Sequence, residues 1–277
     1  MPLSGEGYSF TNRLYSHWRK STITNGLNLI IKTNKMKNDK NFLSEEMEEL
    51  LKVFTHKLEE FLKKQKIFSK KLSKSFEIYQ EEGPAGILEL SNYGWYLGYD
   101  SMLKDPVELG RKLKNGNVRE VDKILTNYYE EKLNLVEKKI IDCNPNRKSI
   151  IEEGFNNHRN KKYYSSIVLL ITQIDGICYD KTSKLYFKNN RQLQKSRIYK
   201  PEVEEKITGK QKFIIEGFEI PLNQSTGINE HIENISKFPV RLNRHEILHG
   251  IDYGFGKKIN SLKIISFLNY INDIMGQ

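Results

Sequence analysis

The chain lacks any apolar run near the roughly 18 residues that a bilayer crossing needs, and its opening "MPLSGEGYSFTNRLYSHWRK" has no apolar h-region. Neither a helical membrane anchor nor a secretory leader is expected on these grounds, and a cytoplasmic protein without a membrane partner is. Cysteine is scarce: Cys143 and Cys178 are the two present, and no C-x-x-C pair occurs. That argues against a disulfide framework or a thiolate metal site. No period of 20 to 50 residues recurs, which argues against a solenoid. Between Leu27 and Glu82 neither glycine nor proline interrupts the chain.

Lysine and asparagine are abundant. The 277 residues carry 45 basic against 35 acidic side chains, a formal charge of +10. The isoelectric point is near 9.3 and the mean hydropathy is -0.62. Such a balance favours a polyanionic partner, because Lys and Arg neutralise phosphates and release counterions. The charge is uneven: Lys181 to Lys212 holds ten basic residues against Glu202, Glu204 and Glu205, with Tyr186, Phe187 and Tyr199 interleaved. Basic and aromatic side chains together suit a single-stranded nucleic acid, and Lys195, Arg197 and Lys200 are the candidate contacts to RNA.

Hydrophobic spacing predicts a mainly helical chain. From Leu43 through Phe54, Phe61 and Phe68 to Phe76, apolar residues recur at three, four or their sums. A long amphipathic helix over 43–80 follows, serving as a packed helix, a coiled-coil arm or one limb of a helical hairpin. "EEGPAGILELSNYGWYLGYDS" then reads as a linker or ordered loop, giving an N-terminal helical region over 1–100. A second region over 101–277 returns to helix. "NVREVDKILTNYYEEKLNLVEKKIID" is amphipathic and Asn144-Pro145-Asn146 stops it. "KYYSSIVLLITQIDGICYD" is apolar enough to be the buried central helix. Residues 180–238 read as a partly irregular insertion, with "KFIIEGFEIPL" a candidate hairpin. "INSLKIISFLNYINDIM" closes the chain with one broad apolar face.

The chemistry concentrates in "NRHEILHGIDYG" (Asn243 to Gly254). One reading is His245-Glu246-x-x-His249, two imidazoles for a zinc ion with Glu246 as the base of a peptidase. From Gly250 onward no Glu or His follows as a third ligand, so no metal or cofactor is expected. The other reading pairs Arg244 with His249. Metal-free RNA cleavage needs a group that moves the proton of the attacking 2'-OH and a cation for the charge building on phosphate. Histidine suits the first task and arginine the second. Five residues apart, the two lie about 140° apart on a regular helix, so a site shared by two copies, or Arg244 at the helix start, is required. Glu246 then becomes a surface or capping carboxylate, Asn243 an N-cap or a substrate contact, and Gly250, Gly254 and Gly256 a C-cap and turn. His17, His56, His158 and His231 stand in polar contexts and read as solvated.

"FPVRLNRHEILHGIDYGFGKKINSLKIISFLNYI", together with "YYSSIVLLITQIDGICYD", resembles the C-terminal part of the HEPN superfamily, marked by R-x4-6-H in an antiparallel helical bundle. The resemblance covers roughly Asp105 to Met275. It implies a homodimeric, metal-independent endoribonuclease, commonly a toxin of an abortive-infection or toxin-antitoxin system, with an antitoxin or regulatory protein as a further partner. Carried over to this chain, Arg244 and His249 are the catalytic pair and His245 assists. Some members carry a modified Tyr two residues after the His; here that position is Ile251. A zinc peptidase and a non-catalytic HEPN binding module are the alternatives.

Overall fold

The computed structural model describes residues 45–100, 104–188 and 217–276. Lys195, Arg197, Lys200 and His17 lie outside them. The chain divides into two compact units, 1–74 and 75–277. The division falls inside a helix, not near residue 100. In the first unit the described residues are helical from Glu45 onward. The second unit is helical too, and no strand occurs among the described residues. The described part of the candidate hairpin is a turn running into a single helical turn.

Helix α1, Glu45–Asn92, is 48 residues long and passes through Pro84. The expected linker is therefore helix over its first half. Proline forfeits one backbone hydrogen bond and crowds the preceding turn, which costs an isolated helix dearly. Here tertiary packing decides: a Cβ on Gly86 would lie 2.1 Å from the Pro106 carbonyl oxygen, and one on Gly110 would lie 2.5 Å from the Gly86 Cα. The two glycines let α1 touch the backbone of α2, Lys104–Lys114. The helix ends at Asn92, where Gly94 takes a positive φ of 82°. The rest of the Gly/Tyr/Trp segment, Trp95 to Leu97, is buried in the core.

Three helices follow: α3 (Val118–Glu131), α4 (Leu133–Cys143) and α5 (Lys148–Arg159). Asn144 and a 3₁₀ turn at Pro145–Arg147 separate the last two, as the Asn-Pro-Asn signal predicts. Helix α6 is Tyr163–Thr182, α7 the one-turn Ile220–Asn223, α8 the five-residue Arg244–Leu248 and α9 Lys258–Met275. A 3₁₀ stretch, Ile232–Lys237, precedes α8.

The central helix is α9, not α6. Its residues from Asn260 to Met275 are all buried, and it packs on α3, α4 and α6. Helix α6 packs on α5 and α9 but leaves Tyr164, Val168 and Tyr179 exposed. Apolarity ranks α6 first, yet enclosure is decided by how many neighbours surround a helix. A single apolar face is the rule for a helix with one wet side; α9 is wrapped all round, so its polar face is buried as well.

Most polar groups on that face meet a partner from outside the helix, and the buried Asn269 Oδ1, which has no hydrogen-bond partner, is the exception. His158 Nδ1 and Ser166 Oγ lie 2.8 and 3.0 Å from Ser261 Oγ. The Tyr96 amide donates to Ser266 Oγ at 3.2 Å, and Asn144 Nδ2 donates to Asn272 Oδ1 at 2.8 Å. Asp273 accepts from the Tyr99 amide at 2.9 Å and pairs with Lys139 at 2.6 Å. Lys263, only 2% exposed, sits 5.5 Å from the Trp95 ring centroid and 3.5 Å from Asp122, whose Oδ1 also accepts from Trp95 Nε1 at 2.8 Å. Burial lowers the Lys263 pKa, and Asp122 opposes that shift.

Breaking a buried pair on one side costs more than replacing it. Asp122→Ala is therefore expected to lower the unfolding free energy by about 3 kcal/mol, because it strands the Lys263 ammonium. Lys263→Met removes the buried charge, keeps the volume and stays within about 1 kcal/mol of the parent. Urea denaturation of both variants checks the order, and equal losses would contradict it.

His158, expected to be solvated, is buried, and burial pushes its pKa down to about 4. An unfolded imidazole titrates near 6.5. As pH falls the unfolded chain therefore takes up the proton first. The His158 contribution is complete above about pH 6.5 and is lost as pH drops toward 4. The melting temperature is expected to fall between about pH 7 and pH 4.5, and His158→Gln to fall less over that range. Parallel curves for the two proteins would remove His158 from this role.

Candidate functional site

Helix α8 is too short to be stable by itself, since nucleation outweighs what five residues return. It is held from its N-terminus. Asn243, fully buried, accepts from the Glu246 amide at 3.1 Å as N-cap. Its Nδ2 donates to the carbonyls of Gly227 and Glu230 at 2.9 and 2.8 Å. The Arg244 amide donates to the Ile228 carbonyl at 3.0 Å. Leu242 and Ile247 are buried in the hydrophobic core. Both ends of the Asn243 amide are thus engaged on backbone and the residue is buried, which makes it the N-cap and corrects its assignment as a substrate contact.

At the other end His249 is the C-cap and Gly250 follows with φ +71°, the expected C-terminal turn. The amides of Ile251 and Asp252 both donate to the Glu246 carbonyl, at 2.8 and 3.1 Å. Beyond the turn, Tyr164 of α6 donates to the Tyr253 carbonyl at 3.0 Å and meets Phe255 edge to face, with ring centroids 4.9 Å apart. Tyr253 itself is 89% exposed and Ile251 47%.

Glu246 is neither a surface nor a solvated capping group. It is 1% exposed, and Arg241 clamps its carboxylate with two hydrogen bonds of 2.8 and 2.6 Å. A carboxylate so engaged is committed to the Arg241 guanidinium. The imidazoles themselves stack nearly parallel, with centroids 5.6 Å apart and 15° between planes. Among the described residues no group of three or more His, Cys, Asp and Glu side chains has the geometry to hold a metal ion. The zinc-peptidase reading therefore has no first-hand support in the donor arrangement.

Arg244 occupies the first position of α8, half-buried, with its guanidinium carbon 5.5 Å from the centroid of the Phe187 ring. Asp175 of α6 lies close by. Its Oδ1 accepts from the Phe187 amide at 2.9 Å. Burial raises the Asp175 pKa, and the Phe187 and Tyr186 amides and the Arg244 charge counter that rise. Burial likewise lowers the His245 pKa, followed by the charges of Arg244, His249 and His231. His245 thus stands within electrostatic reach of both ends of the predicted pair. His249 is exposed, as are His231 and His56.

Sequence reasoning missed Arg241 and Asp175, and singled out Phe187 only as an aromatic of the basic stretch, not as a neighbour of Arg244. Arg241 stands five residues before Glu246, and no helical spacing announces a clamp that forms across an N-cap. Asp175 lies inside α6 and Phe187 beyond its C-terminus, both far along the chain from Arg244, so only the fold joins them to it. A depression of about 690 Å³ lies elsewhere, lined by Asn144, Pro145, Arg147, Gln173 and Asp180 among others. Its Arg147 is already bound to Asp180 at 2.7 Å and Gln173 at 3.0 Å, which leaves that guanidinium engaged within the protein.

No protein-family model matches the chain, and neither a curated protein nor a solved structure matches it. No helix of the described residues is long and apolar enough to cross a membrane.

The Arg241 clamp has a direct consequence. Arg241→Ala exposes an unpaired buried carboxylate and is expected to lower the melting temperature clearly, with Arg241→Lys recovering only part because it lacks the bidentate fork. Thermal unfolding by circular dichroism checks this. Unchanged melting in both would show the clamp to be idle.

Proposed function

We propose that the protein is a metal-independent endoribonuclease of the HEPN type, acting in the cytoplasm as a homodimer. Its biological role is that of a toxin in an abortive-infection or toxin-antitoxin system, held in check by an antitoxin or regulatory protein. One observation carries the reading: Arg244 opens α8, His245 stacks on His249 at its C-cap, and the carboxylate of Glu246 is locked away by Arg241. What remains to solvent and substrate is one guanidinium and two imidazoles, a set suited to phosphodiester chemistry.

In that chemistry His249 takes the proton of the RNA 2'-OH, and the resulting oxygen attacks the adjacent phosphorus. The bond to the 5'-oxygen breaks, and that oxygen receives the proton back from His249, directly or through water, leaving a 2',3'-cyclic phosphate and a 5'-OH. Arg244 stabilises the charge on the phosphate oxygens. His245, whose pKa is lowered, is neutral at physiological pH and serves as a hydrogen-bonding partner for His249 or the substrate. Arg244 begins the helix and turns toward Phe187, whereas His249 ends it. A groove built by two copies supplies both kinds of group on each side of one phosphate, which is why the dimer belongs to the proposal.

The Phe187 contact also favours a second reading. An arginine held over a ring beside a carboxylate is placed as a structural residue would be, as in a non-catalytic HEPN module that binds RNA or protein.

One experiment separates them. Purified protein incubated with RNA in EDTA is expected to give fragments with 2',3'-cyclic phosphate ends. Arg244→Ala and His249→Ala are each expected to slow cleavage at least about a hundred-fold with folding intact. RNA binding without cleavage in the wild type selects the second reading, and cleavage that persists in both variants removes the site.

A further inference from the structure

In the first unit, α1 carries an apolar seam whose phenylalanines and Leu72 are exposed while Leu58 and Gln65 are half-buried. Phe54, Phe61 and Phe68 are 54%, 56% and 67% exposed. With Leu58, Gln65 and Leu72 they follow the spacing four, three, four, three, four. That is a heptad repeat with Leu58, Gln65 and Leu72 at one core position and Phe54, Phe61 and Phe68 at the other. In this register Lys57, Lys64 and Lys71 each stand just before a core position and form one flank of the seam. The other flank holds Thr55, Leu62 and Ser69. The stretch from Glu49 to Lys74 contains eight lysines and three glutamates, so the helix is basic around its apolar seam.

We propose that this seam binds an acidic amphipathic helix of a different protein, whose carboxylates face Lys57, Lys64 and Lys71. Charge and pattern together choose this occupant. An antiparallel second copy would set one lysine row against another, and like charges at those flanking positions are repulsive. A parallel copy would set the lysines against Leu62, Ser69 and Phe76, which offer no carboxylate. The chain's own residues 1–44 carry seven basic and two acidic residues, the same sign as the seam. An anionic lipid surface would satisfy the lysines, but Gln65 lies in the middle of the apolar face. Against lipid its amide would sit at the deepest line of the helix, whereas in a coiled coil one polar core residue fixes register. A strict 3.5-residue period is likewise a requirement of a helical partner and not of a membrane surface.

The test uses the full-length protein and a labelled synthetic peptide of four heptads, with Leu at the core positions, Gln opposite Gln65 and Glu on both flanks. A second peptide has the same core and Lys flanks. Fluorescence anisotropy is expected to show the acidic peptide binding at least about ten-fold more tightly, with the difference shrinking as salt rises. The triple variant K57E/K64E/K71E is expected to reverse the preference. F61E/F68E, checked by circular dichroism to keep its helix content, is expected to bind neither. Equal affinity for both peptides, or no binding, overturns the proposal. Binding to phosphatidylglycerol vesicles in place of the peptide assigns the seam to lipid, and self-association abolished by F61E/F68E assigns it to a second copy. None of these readouts depends on nuclease activity.

Discussion

The second unit depends on enclosing α9 completely. A helix wrapped on every side cannot leave its polar residues to water, so partners for them have to come from within the fold. Ser261, Lys263, Ser266, Asn272 and Asp273 are met from α3, α4, α5, α6 and the Trp95–Tyr99 segment. These bonds are directional, and they fix the rotation and height of α9 more tightly than apolar contact alone would. The Lys263, Asp122 and Trp95 trio is the most constrained of them, since one carboxylate serves both a buried ammonium and an indole N–H.

That enclosure also places the site. Phe255 is anchored just before α9, and its carbonyl accepts from Asn260 Nδ2 at 2.9 Å. Tyr164 of α6 grips the same turn. The α8 helix therefore hangs between two fixed points, the Asn243 cap and the Phe255 anchor, and its imidazoles are presented by a rigid support. Arg241 completes the arrangement by neutralising Glu246 from outside. Rigid placement of a few titratable groups on a short helix is what a phosphodiester site needs, and equally what a binding surface needs. Chemistry on RNA distinguishes these uses.

Much of the helical content was legible in the chain. The three- and four-residue spacing of Val118, Val121, Leu125, Tyr128, Val136 and Ile140 announces the helical stretch that becomes α3 and α4, and Asn144-Pro145-Asn146 marks where α4 ends. The N-cap at Asn243 and the turn at Gly250 were legible for the same reason: they are local chemistry, decided within a few residues. Pro84 misled because a local penalty was outweighed by the Gly86 and Gly110 contact far along the chain. His158 misled because polar neighbours in sequence are not neighbours in space. Its ring turns inward to Ser261, 103 positions away.

The candidate site divides in the same way. The sequence by itself determined a helical protein, a basic charge, a seam along α1 and a cluster of Arg244, His245 and His249, because spacing and composition act over a turn or two of chain. Only the tertiary structure decided that α9 and not α6 is the enclosed helix, that Glu246 is clamped by Arg241, and that Arg244 lies over Phe187 beside Asp175. Burial and ion pairing depend on which segments meet, and separation along the chain carries no information about that until the whole unit closes around α9.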